Sequence, residues 1–492
     1  MRQPGLAGTV ARILLLAGSL GALTGCAVGP DFRRPVAPAM NGYGVATTPT
    51  ASAAAPGGEI QRFHPGQEVG AQWWQAFGSA QIDSLVAEVL HDNPDLQAAR
   101  ASLRNAQETL AVQRATLIPT VGLQANSVRQ HDAAILSPTL ANGQQRFSLT
   151  TAQLTFDYPL DLFGGERRQI ESVAASAEAQ RWQLAYTYLT LTSNTVIAAI
   201  NQAAVGSELA LSRQVAQSAR QSLDILRRQY QLGAVSQNDV DAQQAMLSQA
   251  EALVPSLEAQ LQQQRDLLAA LSGRLPANAP DSQLSLDALV LPADLPLSLP
   301  SSVVERRPDI RSAEAQLHAA TAQVGVATAS LLPNIALTGN GGSAALALSQ
   351  LAAPAARFWS LGANLSATLF DGGALLHRKR AAVAMMDQAA AQYRSTVLQA
   401  FRQIADALAA LQADAATLQA QTDATAAASR TLQSMQHDLQ SGSVSYLGLL
   451  DAERTYGQAV VAQAAARAGR LTDTVNLLVA LGGGLGSDGK VL

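Results

Sequence analysis

One thiol, six imidazoles and 37 carboxylates are the groups in this 492-residue chain that could carry chemistry. The thiol, Cys26, is the single cysteine, which excludes an internal disulfide or a multi-cysteine metal site. Its surroundings assign it a different reaction. Arg2 and Arg12 make a basic start, Ile13 to Ala22 an apolar stretch, and Leu23-Thr24-Gly25-Cys26 follows. This is a secretory signal over residues 1–25. Its last residues match the lipoprotein cleavage box, in which small side chains fit the peptidase and the thiol takes a diacylglyceryl group. Ala27 follows the cysteine where an aspartate would favour inner-membrane retention, so the outer membrane of a Gram-negative bacterium is the expected destination. An ordinary signal with a chance cysteine is the plain alternative. The histidines, at 64, 91, 131, 318, 377 and 437, have no metal-ligand spacing, and no Ser/His/Asp constellation stands out. Met385-Met386 reads as helix packing, because two methionines alone do not make a soft-metal path. No enzyme activity, no metal and no cofactor beyond the lipid on Cys26 is expected.

Composition agrees. Aromatic residues are 4% and charged residues 14%, so the core must be built from small side chains on closely approaching helices. The net charge is −4, and −6 once residues 1–25 are removed, with no basic patch among aromatics. Nucleic acid is therefore not an expected partner. No run of 18 apolar residues follows the N-terminal signal, so no membrane-spanning helix is expected in the mature chain.

The elements that must position any site come in two copies. Pro94-Asp95-Leu96, Leu103, Ala106, Leu110, Leu117-Ile118-Pro119 and Leu123 return as Pro308-Asp309-Ile310, Leu317, Ala320, Val324, Leu331-Leu332-Pro333 and Leu337, each pair 214 positions apart. Gly233-Ala234-Val235-Ser236 returns as Gly442-Ser443-Val444-Ser445 at an offset of 209. Repeats of this kind bury a core only by packing together. The expected division is a lipid-anchored tether over 26–78, a first repeat over 79–272, a linker over 273–302, a second repeat over 303–481 and a flexible tail over 482–492. Residues 27–60, rich in Pro, Gly, Ala and Thr, read as extended chain without a core of its own.

Each repeat opens with a helix, from Pro94 to about Leu117 in the first, and continues into a β-hairpin, over 119–158 and 333–370. Trp359, Leu361, Ala363, Leu365, Ala367 and Leu369 alternate with Ser360, Gly362, Asn364, Ser366 and Thr368, giving one apolar face and one small polar face. About ten residues of that pattern is what a tilted bilayer-spanning strand requires. Along 146–158 the phase slips near Thr151, which predicts a bulge. Four strands cannot close a barrel, and open edges are not tolerated in lipid, so a spanning sheet forces the chain to oligomerise. After the turns Asp161-Leu162-Phe163-Gly164-Gly165 and Leu369-Phe370-Asp371-Gly372-Gly373 come long helical stretches. These are expected to turn back near Ala204–Ser207 and Leu411–Ala415, with further breaks at Pro255 and at the Gly233 and Gly442 segments, where Tyr230–Asp241 and Leu439–Asp451 start the returning helices.

The chain resembles the TolC-like outer-membrane factors, and within them the NodT/OprM-like lipoprotein branch. The residues that carry the resemblance are Cys26-Ala27-Val28-Gly29-Pro30-Asp31-Phe32, Trp73-Trp74, Asn93-Pro94-Asp95-Leu96, Glu305-Arg306-Arg307-Pro308-Asp309-Ile310, the two Gly-Gly turns, and Gly442-Ser443-Val444-Ser445-Tyr446. The resemblance implies a mainly helical fold with a small β portion. It also implies a homotrimer in which each chain gives four strands to a twelve-stranded barrel, with the helices forming a tunnel across the periplasm. The implied role is the exit duct of a tripartite efflux system, with a periplasmic membrane-fusion adaptor and an inner-membrane RND-type transporter as partners. In a trimer every lumen residue becomes a ring of three. Asp406 and Asp414 are therefore candidates for a periplasmic gate, with Arg402, one helical turn from Asp406, as a latch. Val205-Gly206 resembles the tip through which such ducts touch adaptors. Two other readings stay open: a duct for type I protein secretion, and a lipid-tethered coiled-coil protein with no pore.

Overall fold

The computed structural model describes residues 27–36, 43–44, 56–131, 133, 145–279, 284–440, 443–444 and 446–483. Cys26, the signal over residues 1–25 and the tail beyond Gly483 lie outside them.

The repeat is reproduced element by element. In the first copy, α1 (Ala80–Asp92) leads to α2 (Pro94–Ala115), the hairpin β2 (Thr120–His131) and β3 (Arg146–Leu160), then α3 (Gly165–Gln231) and α4 (Gln237–Leu271). In the second, α5 (Pro300–Arg306) leads to α6 (Pro308–Ala329), β5 (Asn334–Ala345) and β6 (Arg357–Ser366), then α7 (Ala374–Gln440) and α8 (Tyr446–Ala480). The matched helices have equal lengths of 22, 67 and 35 residues. Two short strands outside the repeats, β1 (Arg62–Pro65) and β4 (Asp294–Leu297), pair in parallel.

Contacts divide the chain into two units. The first holds residues 1–35, 103–179 and 313–393, which include the four-stranded sheet; the second holds 36–102, 180–312 and 394–492. The sheet is antiparallel in the order β2-β3-β5-β6, so β2 and β6 are edges with one unpaired side each. In the second unit, Trp73, Trp74 and Phe77 are buried in a short 3-10 turn, and β1 pairs with β4. Within the stretch 27–60, expected as extended chain without a core of its own, Tyr43 is buried and its hydroxyl donates to Ser298 O at 2.6 Å, so that stretch is partly built into the second unit.

The helix starts show why the repeat offset is exact. Asn93 caps α2: its Oδ1 accepts from the N–H groups of Asp95 and Leu96, at 2.8 and 3.0 Å. Its Nδ2 donates to Leu271 O at the end of α4, at 2.8 Å. Arg307, 214 positions on, repeats the reach and donates to Ala480 O at the end of α8, at 2.8 Å. Each of those helices is followed by a left-handed glycine, Gly273 (φ 70°) or Gly482 (φ 104°), which packs against Asp92 or Arg307 respectively.

Three expectations are corrected. The β2–β3 and β3–β5 ladders run unbroken through Thr151, so no bulge exists there, and the phase slip has another cause, described below. Helix α4 continues through Pro255. Helices α3 and α7 run unbroken past Ala204–Ser207 and Leu411–Ala415; the chain turns back only after Gln231 and Gln440.

Candidate functional site

The sheet has two chemically opposite faces, and its register defines both. On one face Val121, Leu123 and Ala125 of β2 stand beside Ala152, Leu154, Phe156, Tyr158 and Leu160 of β3. These continue into Ile335 and Leu337 of β5 and Trp359, Leu361, Ala363 and Leu365 of β6. The exposed members include Leu123, Trp359 and Leu361, at 79%, 81% and 74%; so large a bare apolar band needs apolar surroundings. From Ala152 to Leu160 it spans nine positions, the length of a tilted transmembrane strand.

The opposite face is polar and small. Gln153 Nε2 donates to Gln124 Oε1 at 3.0 Å, and Ser360 Oγ to Asn340 Oδ1 at 2.8 Å. Near the hairpin ends the faces exchange character: Ser127, Arg129, Ser148 and Thr150 follow on the apolar side, while Val128, Phe147 and Leu149 follow on the polar one. That exchange is the phase slip read in the sequence. The backbone keeps its period, and the strand runs from an apolar band into polar surroundings.

The residues after Cys26 are clipped beside this sheet. Val28 N–H donates to Phe163 O at 3.1 Å, just past the end of β3, and Arg168 Nε donates to Val28 O at 3.2 Å. Arg168, 7% exposed, also binds Asp31 at 2.5 Å and Glu171 at 2.7 Å. His318 pairs with Glu171 at 2.9 Å and stacks on Phe32 with ring centroids 4.3 Å apart. The Arg168 guanidinium holds the Asp31 carboxyl below its usual range. Ala27 therefore sits close against Gly164, where strand gives way to helix.

The helix-to-helix turn lies at 232–236. Gly233 (φ 73°) ends α3, with Ala234 N–H returning to Gln229 O at 2.9 Å. Ser236 and Asp239 form a reciprocal capping box that starts α4. Beneath it, Leu223, Leu226, Val240 and Leu247 pack with Leu449 and Leu450 of α8. Among the described residues no cluster of three or more metal-ligating side chains occurs, and no helix is long and apolar enough to cross a membrane.

The outer membrane efflux protein family matches this chain over residues 85–274 and 299–483, both repeats. The chain belongs to that family. It is 30% identical over 480 residues to the toluene efflux pump outer membrane protein TtgC of Pseudomonas putida, covering 96% of this chain and 95% of the relative. It is 29% identical to the pyoverdine export outer membrane protein OpmQ of Pseudomonas aeruginosa, covering 85% and 88%. The outer-membrane channel OprN superposes with a TM-score of 0.83 at 29% identity, covering 93% of this chain and 99% of OprN. The two-faced sheet and the paired long helices are thus those of an outer-membrane efflux channel, a transport protein and a component of an efflux pump.

Within this efflux-family fold the residues proposed from sequence fall differently from expectation. Val205 and Gly206 lie inside α3, well before its end, and not at a tip. Arg402, Asp406 and Asp414 lie in the middle of α7. Arg402 Nη1 is 2.9 Å from Asp406 Oδ2 on the same helix, and both side chains are exposed. Asp414 stands apart from that pair and faces Asp473 of α8. The sequence missed Asp473 as its partner. It also missed Arg470, which is fully buried and donates to Gly57 O and Glu59 O at 2.8 and 2.9 Å.

The Asp414 carboxyl is pushed up to about 7, first by burial and then by the facing Asp473; Arg470, itself facing Glu59, pulls the other way. The folded chain holds this proton more tightly than an unfolded one, whose aspartate titrates near 3.8. The stability it confers is complete below about pH 4 and lost as pH rises through about 7. Amide exchange in the α7–α8 contact around 410–475, corrected for intrinsic rates, should accelerate about fivefold between about pH 5 and 8, an opening of about 1 kcal/mol after solvent screening. In Asp414→Asn the acceleration should vanish. A variant that keeps it assigns the pH dependence to other groups.

Proposed function

We propose that three copies of this chain form the exit duct of a tripartite efflux system that passes small toxic molecules out of the cell. The observation that carries this reading is the two-faced sheet with both edges open. An apolar outer face and a polar inner face suit a wall between lipid and water. The free sides of β2 and β6 can be satisfied in a bilayer only by neighbouring copies. Three four-stranded sheets close twelve strands. The clip of residues 27–34 holds Ala27 against Gly164, just past the end of β3, a placement that suits a lipid anchor at the N-terminal side of the clip.

Energy enters such a duct from its pump, so docking defines the function. In this reading the docking end is the turn at 232–236, which takes the place of Val205-Gly206 in that role. Ala234 is exposed there. Ala234→Cys, in a chain that keeps Cys26 for lipidation, is cross-linked in native envelopes and the products are identified by mass spectrometry. Recovery of a membrane-fusion adaptor with an RND-type transporter is expected. Recovery of an ABC exporter instead would move the chain to protein secretion, and recovery of neither would remove the docking assignment.

Asp406 and Asp414 stay as candidates for a constriction within the duct, at mid-helix and not at its tip. Asp406, exposed with Arg402, becomes a ring of three in a trimer. Asp406→Ala channels in planar bilayers should lose about half of their preference for cations; unchanged selectivity excludes Asp406 from the constriction.

A further inference from the structure

A cavity of about 710 Å³ lies in the second unit, among α3, α4, α8 and the 3-10 turn Leu286–Ala288. It shares no residue with the sheet faces, the turn at 232–236 or the Asp414–Asp473 contact. We infer that this cavity binds a small amphiphilic anion: an apolar body carrying one carboxylate or phosphate.

Its charge is the first observation. Arg213, Arg265 and Arg467 line it, against the single carboxylate of Asp287. Arg467 is built for the purpose. Its side chain is 9% exposed, and its Nε is buried with no hydrogen-bond partner. Its stem is held by Gly57, where a Cβ would come within 2.7 Å of Arg467 Cγ. A buried guanidinium N–H without an acceptor costs about 1–3 kcal/mol, so the fold carries an unmet demand for an anion. Asp287 meets that demand on one side only: it takes Arg467 Nη1 at 2.5 Å while its own side chain is 84% exposed. A ligand carboxylate accepting from Nε as well would complete the planar fork that arginine offers.

Arg213 is available for the same ligand. Its pairing with Glu258, at 2.6 Å, joins two side chains that are 57% and 49% exposed, and such pairs are weak. The apolar half of the proposed ligand is set by the remaining walls, which include Leu209, Leu261, Leu286 and Val460. The volume lies in the range of drug-sized pockets. Gly206 forms part of the wall, and a Cβ there meets nothing within 4 Å, so the space above it is open. The residue pair that resembled an adaptor tip thus contributes its glycine to a ligand cavity.

The full-length lipidated protein in nanodiscs is titrated with trifluoromethyl-phenylacetate, followed by fluorine NMR. The matching aryl phosphate is a second arm and the neutral amide a control. Saturable binding of at least one anion is expected, absent for the amide. Affinity should fall at least tenfold in Arg467→Gln. It should fall equally in Gly206→Leu, which keeps all three arginines, gains helix propensity and fills the cavity. Binding of the amide as tight as that of the anions overturns the inference, as does no saturation up to about 10 mM. Unchanged affinity in Gly206→Leu overturns it too, because the ligand then sits elsewhere. None of these outcomes touches the export reading, since the cavity lies apart from the sheet and the docking turn.

Discussion

Leu361→Arg should reduce the amount of assembled channel in the outer membrane at least tenfold, while Asn364→Arg, three residues away, should assemble normally. The two positions lie on one strand but on opposite faces. Leu361 stands 74% exposed on the apolar band, over Gly339, where a Cβ would be 3.5 Å from its Cδ1. An arginine there must enter hydrocarbon, at about 2–4 kcal/mol per chain near the bilayer midplane. A trimer multiplies that cost by its copies. Asn364 lies on the polar face and pairs in register with Ala336. An arginine there meets water, and it should instead shift the channel towards anions. Semi-denaturing gels of envelope fractions report assembly, and bilayer recordings report selectivity. Equal assembly of the two variants would contradict the assignment of the apolar face to lipid.

Legibility in the sequence followed from how local each determinant is. The repeat was visible because its landmarks, Pro94 with Pro308 and Gly233 with Gly442, stop and start helices through their own backbone properties. The apolar face of β6 was visible because alternation is a property of neighbouring residues. The position of the helix-to-helix turn was misread at Val205-Gly206, since an isolated glycine costs a helix only about 1 kcal/mol and packing along α3 absorbs it. The true stop combines Gly233 with the capping box of Ser236 and Asp239; the glycine is legible as a helix break, but as a secondary one after the turn expected at Val205-Gly206. The pairs that clip the fold could not be read at all. Arg168 finds Asp31 137 positions away, and Asp414 faces Asp473 on another helix. Long-range pairing of that kind is set by how the helices pack, and no local pattern announces it.

The same reasoning isolates Arg307 as the side chain whose removal should be felt most in the second unit. It lies in the motif Glu305-Arg306-Arg307-Pro308-Asp309-Ile310, in the single residue that separates α5 from α6. Its side chain is 7% exposed. It grips Asp309 through both edges, Nε to Oδ1 at 3.0 Å and Nη2 to Oδ2 at 2.7 Å. It also donates to Gln403 Oε1 of α7 at 2.7 Å and to Ala480 O at the end of α8 at 2.8 Å. Three helices are therefore joined through one guanidinium. Its counterpart Asn93 makes only the link to its own last helix and its cap. Arg307→Ala leaves a carboxylate, an amide oxygen and a helix-end carbonyl without their donor, a loss expected to reach about 3–5 kcal/mol. Arg307→Lys should recover little of it, because an ammonium cannot span the carboxylate fork and two further acceptors together. Asn93→Ala should cost about 1–2 kcal/mol, the value of a lost cap. Denaturant titration of the lipid-embedded protein, with proteolysis sites mapped, ranks the three variants. If Arg307→Lys behaves as the parent chain does, charge alone holds the junction, and the forked geometry has no part in it.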